Sequence, residues 1–170
     1  MTASTLEQVA DLATRSFPDG DVALDALLAA AQQLVGYQTA LMSQVDREQS
    51  LLRIHAVLNT DPALTVPAGL QIPLTASPCQ HVASSVLPFN ASNMHADADL
   101  ALLPACRDMG ATAYLGVPVV LSDGSFFGTF VALDTKEQAQ TTEQTQWFQV
   151  LARMAAGQVE RQGVKQLVAQ

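Results

Sequence analysis

Apolar positions recur along this chain with helical and strand spacings, and the switches between them mark its elements. From Thr5 to Phe17, Leu6, Val9, Ala10 and Ala13 keep helical spacing until Pro18-Asp19-Gly20 breaks the run. Asp21 is placed to cap a second helix, in which Leu24, Leu27, Leu28, Ala31, Leu34 and Val35 form one stripe and Gly36 makes a stop. Residues 38–45 and 51–58 read as two strands around a polar turn at 46–50. Leu52, Ile54, Ala56 and Leu58 fall on one face of that hairpin. Residues 59–71 contain Pro62, Pro67 and Gly69 and read as a loop long enough to be a lid or pocket wall. Ser77-Pro78-Cys79-Gln80 is a helix start, with a serine cap, a proline in the first turn and a glutamine to close a capping box. A short strand at 87–91, a polar stretch at 92–95 and a partly helical segment at 97–109 follow.

Residues 112–134 carry the strongest pattern. Two runs rich in β-branched and aromatic residues flank Ser122-Asp123-Gly124-Ser125, and Asp-Gly tolerates the positive φ that a tight hairpin needs. Both runs are apolar on both pleat faces, so this sheet is expected to be covered on both sides. Gly116 and Gly128 inside the runs point to a bulge or to a close approach by another group, and Pro118 points to an irregular or open edge. Thr141 and Gln144 then offer a capping box to a last helix, with Trp147, Phe148, Leu151, Met154, Ala155 and Val159 on one side.

Tyr114-Leu-Gly-Val-Pro-Val119, the Asp-Gly turn, Phe127-Gly-Thr-Phe-Val-Ala-Leu-Asp134 and the polar link into a long helix resemble the C-terminal half of a GAF domain. Ile72-Pro73-Leu74, Ser77-Pro78-Cys79 and Leu87-Pro88-Phe89 fit the same pattern, and the resemblance spans about residues 21–159. It implies an α+β fold. A central antiparallel sheet of five or six strands carries terminal helices on one face and a helical and loop insertion, residues 59–110, over a ligand pocket on the other. The implied division is an N-terminal helix and turn at 1–20, the GAF domain at 21–162 and a helical extension at 163–170.

Composition narrows the class of function. The chain has 170 residues, 49% of them apolar, enough to bury a core without disulfides or metals. Its net charge is −8 with eight basic residues, which argues against nucleic acid as a partner. No apolar run reaches a membrane span, the N-terminus has no signal-like core, and two cysteines do not make a disulfide framework. A cytoplasmic location is the expectation.

Cys79 is the leading chemical candidate. At the start of a capped helix its thiolate is favoured, yet Cys79, Val82, Ala83 and Val86 share one face, as a core cysteine would. Cys106, beside Arg107, has the same two readings. The histidines show no metal spacing; His95, with Asn93 and Asp97 after the third strand, is the one placed at a pocket rim. The family resemblance implies a non-catalytic sensory or regulatory domain of bacterial signalling proteins. Such a domain binds a small molecule or a partner and signals through its terminal helices, and no cofactor is required by the sequence. The expected pocket residues are Cys79, Asn90, His95, Tyr114, Phe127 and Thr129. One alternative is free methionine-(R)-sulfoxide reduction by Cys79 and Cys106; another is a dimerisation module with an empty pocket. The Cys-His dipeptide of bilin-binding relatives and the Asn-Lys-x-x-Phe signature of cyclic-nucleotide binders are absent. Surplus apolar stripes, Leu6, Val9, Ala10 and Ala13 at one end and Val164, Leu167 and Val168 at the other, suggest a homodimer through the terminal helices.

Overall fold

A computed structural model describes residues 3–64 and 66–169. Its elements are α1 (Ala3–Thr14), α2 (Gly20–Val35), β1 (Thr39–Asp46), β2 (Leu51–Asn59), β3 (Gln71–Pro73), α3 (Cys79–Ser85), β4 (Phe89–Ala91), α4 (Ala98–Ala101), α5 (Pro104–Arg107), β5 (Ala113–Val120), β6 (Phe126–Asp134) and α6 (Thr142–Ala169). The strands form one antiparallel sheet in the order β3-β2-β1-β6-β5-β4, so the two expected hairpins meet where β1 pairs with β6. β3 lies at the end of what reads as a loop in sequence, where three residues are too few to show a period.

Each sheet face has its own core. Tyr37, Ala40, Met42, Leu115, Val117, Phe130 and Ala132 pack against α2 and α6, with Phe148, Leu151, Ala152 and Ala155 of α6 fully buried. Leu41, Val45, Leu52, Ile54, Tyr114, Val131 and Leu133 face the insertion, which contributes Leu64, Val66, Cys79, Met94, Leu100 and Cys106. The runs apolar on both faces are thus explained by a layer on each side. β4 pairs only with residues 114–116, so Pro118 sits on β5 beyond β4, where no neighbour needs its missing N–H.

Two bulges change which side chains share a face. Met42 pairs with Ala56 and Ser43 with Ile54, leaving His55 as an extra residue. Leu52 and Ile54 therefore face the insertion, whereas Ala56 and Leu58 turn to the helices, so the four do not share one face as expected. Phe127 is the extra residue on β6, because Val119 pairs with Gly128 and Val120 with Phe126. The bulged His55 and Phe127 meet edge to face, 6.1 Å apart between ring centroids.

Helix ends follow local chemistry. Asp19, rather than the expected Asp21, caps α2 by accepting from the Val22 N–H at 2.8 Å, because the helix already begins at Gly20. Thr141 and Gln144 form the reciprocal box at the start of α6: the Gln144 N–H donates to Thr141 Oγ1 at 3.1 Å and the Thr141 N–H to Gln144 Oε1 at 3.0 Å. α6 continues through Gly163, although the side chains of Val164, Leu167 and Val168 lie outside the described residues. α1 folds back on α2 and buries Val9 and Leu12, leaving Leu6, Ala10 and Ala13 exposed.

Candidate functional site

The insertion meets the sheet at a buried thiol. α3 starts at Cys79, whose N–H donates to Ser77 Oγ at 3.1 Å, which holds the sulfur over the centre of the sheet. From β5 the Tyr114 hydroxyl donates to Cys79 Sγ at 3.1 Å, and from β6 the Thr129 hydroxyl donates to the same sulfur at 3.3 Å. Ser43 Oγ of β1 lies 2.5 Å from Thr129 Oγ1. Tyr114, Thr129 and Ser43 are all buried, so the sulfur gives two hydroxyls an acceptor in a core without solvent. Burial, followed by the Cys79 charge and the hydrogen bond given to Cys79, pushes the Tyr114 phenol well above its ordinary value. The tyrosine fits because Gly116, next but one on β5, has no side chain: a Cβ there would collide with the phenol oxygen.

The expected pocket residues separate into one trio and three residues that lie elsewhere. Cys79, Tyr114 and Thr129 come together as described. His95 stands apart, exposed in a short turn at 94–96, with Nδ1 3.4 Å from Cys106 Sγ. Cys106 is 1% exposed, and burial raises its thiol pKa. Asn90 is exposed, because Phe89 and Ala91 take the insertion side of β4 and leave it the opposite pleat. Phe127 packs on the helical face, moved there by the bulge. Sequence reasoning missed Ser43, hidden as a small polar residue within the strand run Ala40–Val45, and Met94, an insertion residue that is fully buried in the core on that side of the sheet.

Little free space remains at this site. A cavity of about 30 Å³ lies beside Cys79 among Leu52, Ile54, Tyr114, Val131 and Leu133. That is enough for a water molecule, which needs ~10–15 Å³, but far below the ~300 Å³ or more of sites that enclose organic ligands. Its walls are almost wholly apolar. Both cysteines are free, and among the described residues no three His, Cys, Asp or Glu side chains are grouped to hold a metal ion. No described helix is long and apolar enough to cross a membrane.

Comparison with known proteins agrees with this architecture. The family model of the GAF domain matches residues 19–159. The GAF domain of an Acinetobacter phosphoenolpyruvate-protein phosphotransferase superposes with a TM-score of 0.73 at 15% identity, covering 96% of this chain and 98% of that one. A bacteriophytochrome from the photosynthetic bacterium R. palustris gives 0.78 at 13% identity, over 99% of this chain and 40% of that one. The chromophore-binding domain of a Stigmatella aurantiaca bacteriophytochrome gives 0.72 at 15%, over 93% and 60%. This chain therefore spans about two fifths of the first phytochrome and three fifths of the second structure. At such identities the likeness is one of fold. No curated protein matches the sequence.

Proposed function

The chain belongs to the GAF domain family, and from that premise we propose that it is a regulatory domain without catalytic machinery of its own. It responds to a small molecule or a partner protein and passes the response through α1 and α6. The observation that carries this reading is how the space beneath the insertion is used. Leu64, Val66, Met94, Leu100 and Tyr114 fill it and leave only about 30 Å³. A reductase needs its substrate beside the nucleophile, yet Cys79 is 3% exposed and Cys106 1%. The two sulfurs also have separate neighbours, the Tyr114 and Thr129 hydroxyls for one and the His95 ring for the other.

A regulatory ligand acts by preferring one of two states. A molecule that entered beside Cys79 would displace the insertion, residues 59–110, and so couple occupancy to the sheet and to the helices behind it. The filled core equally supports a second reading, a dimerisation module whose pocket stays empty. Both readings place the protein in the cytoplasm, with a second copy of this chain as the partner of its terminal helices.

An enzyme assay separates regulator from reductase. The purified chain is supplied with free methionine-(R)-sulfoxide, thioredoxin, thioredoxin reductase and NADPH. No turnover is expected. Robust turnover that disappears in Cys79→Ser or Cys106→Ser would overturn the regulatory reading. An absorption spectrum of the same preparation tests for a pigment, since bound haem or bilin would give a visible band.

A further inference from the structure

The room that is missing beneath the insertion is present on the opposite side of the molecule. Where the α1–α2 link passes α6, a cleft of about 560 Å³ opens to solvent. That lies within the range of ~300–1,000 Å³ typical of sites for organic ligands. Leu12, Phe17, Met154 and Gly157 contribute its apolar surface, and Arg15, Arg153 and Arg161 line it as well.

The arginines stand out against the rest of the chain. The protein has eight basic residues against sixteen acidic ones, and three of the eight converge on this cleft. Arg153 and Arg161 are eight residues apart on α6, which puts them on one helix face about 12 Å apart along the axis. Both are exposed, and neither guanidinium forms an ion pair or hydrogen bond among the described residues. Arg15 is paired with Asp11 and lies over the Phe17 ring, 5.7 Å from its centroid. Three carboxylates on this side of the molecule have partners of their own: Asp11 pairs with Arg15, Asp21 accepts from the Gln162 amide at 3.0 Å, and Asp19, which also lines the cleft, accepts from the Val22 N–H as the cap of α2.

Gly157 supplies an independent observation. It lies midway between Arg153 and Arg161, inside a helix, where glycine is a poorer helix former than any residue but proline. Packing does not require it, because a Cβ there would meet nothing closer than Arg161 Nη2 at 3.8 Å. Its effect is to keep the floor low between two guanidinium groups that have no counterion.

We propose that this cleft binds a small organic anion. Its phosphate or carboxylate group is held by Arg153 and Arg161, and its apolar body lies on Leu12, Phe17 and Met154. Guanidinium forks suit both oxyanions, and an amphiphilic lining selects a molecule with a charged end and an apolar end. Such a ligand bridges the α1–α2 link to α6 and ties the N-terminal helix to the C-terminal one.

The test is calorimetric titration of the full chain at low ionic strength with phenyl phosphate, benzoate and inorganic phosphate. Saturable binding of phenyl phosphate or benzoate is expected with Kd below about 1 mM, and the tighter of the two identifies the oxyanion. Inorganic phosphate is expected to bind at least about tenfold more weakly, because it has no apolar body. The double variant Arg153→Gln/Arg161→Gln should lose binding by about tenfold or more with an unchanged melting temperature, and Gly157→Leu should lose it by filling the floor. Absence of saturation by both organic probes overturns the proposal, as does affinity unchanged in the double glutamine variant. Inorganic phosphate binding as tightly as phenyl phosphate overturns it too, as an adventitious ion only.

Discussion

The Tyr114 hydroxyl donates to the Cys79 sulfur across 3.1 Å, and both residues are buried. The bond ties α3 of the insertion to β5, and the Thr129 hydroxyl ties the same sulfur to β6. The thiol therefore acts as a buried acceptor that fixes the insertion to the sheet.

Substitutions at Cys79 should follow that role. Cys79→Ala leaves two buried hydroxyls without their acceptor and opens a void, at an expected cost of about 2–4 kcal/mol. Cys79→Ser keeps an acceptor and should cost about 1 kcal/mol. Denaturant unfolding of the two variants measures the difference. Equal losses would show that packing alone sets the role of Cys79.

Gly116 and Gly128 respond to different obstacles. A Cβ on Gly116 would lie 2.7 Å from Tyr114 Cζ, whereas one on Gly128 would collide with the Ser43 carbonyl oxygen and lie 2.8 Å from its carbon. A side chain can be removed, but a backbone carbonyl of the neighbouring strand cannot. Gly116→Ala should be destabilised by about 1–3 kcal/mol, and adding Tyr114→Ala should produce less than the sum of the two single losses. Gly128→Ala should be the more severe variant and should not be rescued in the Tyr114→Ala background. Melting temperatures of the wild type and the five variants decide the matter, and additive losses at Gly116 and Tyr114 would contradict the contact.

These same residues show what a single sequence can reveal. The β5–β6 hairpin is legible because Asp123-Gly124 and two β-branched and aromatic runs state it locally. The meeting of Cys79 with Tyr114 and Thr129 is legible once the insertion is laid over the sheet. Phe127 is misplaced by simple alternation: it is two residues from Thr129 and should share its face, but the bulge at Phe127 reverses the pleat. His55 does the same to Ala56 and Leu58 on β2. A bulge of one residue leaves no mark in the hydrophobic period until the register is known. The arginine cleft is illegible for another reason. Arg15 and Arg161 are far apart in the chain, and only the fold of α1 against α2 and α6 brings them to one opening.

The two tyrosines of the chain, Tyr37 and Tyr114, should both resist ionisation. Burial raises Tyr37 above the usual 10.0; a hydrogen bond with Gln140 opposes the shift and the Asp134 charge adds to it. Burial raises Tyr114 further, with the Cys79 charge and hydrogen bond adding to it. Because the folded pKa values lie above the unfolded ones, this stabilisation is complete below about pH 10. It falls as pH rises towards the folded values. Phenolate absorbance of the native chain should show no step near the ordinary tyrosine pKa, whereas the urea-unfolded chain should titrate both phenols there. A native step at the ordinary value from either residue would contradict the burial argument for that residue.

Assembly gives the last prediction, and the packing of α1 determines which substitutions test it. Val9 and Leu12 are used inside the domain against α2, so they cannot also form a surface for a partner. Leu6, at 57% exposure, and the exposed Ala10 remain on the outside of the helix, and Val150 is exposed on α6 at 41%. If a second copy covers this surface, light scattering at tens of micromolar should give twice the chain mass. Leu6→Glu/Ala10→Glu should then give a monomer that melts at the same temperature as the single wild-type domain, because neither position is packed internally. Val9→Glu should behave differently. It places a charge against α2 and should lower the melting temperature at every protein concentration, since a buried unpaired charge is costly. A monomeric wild type whose mass is unchanged by Leu6→Glu/Ala10→Glu would rule out the homodimer and leave α1 as a brace within one domain.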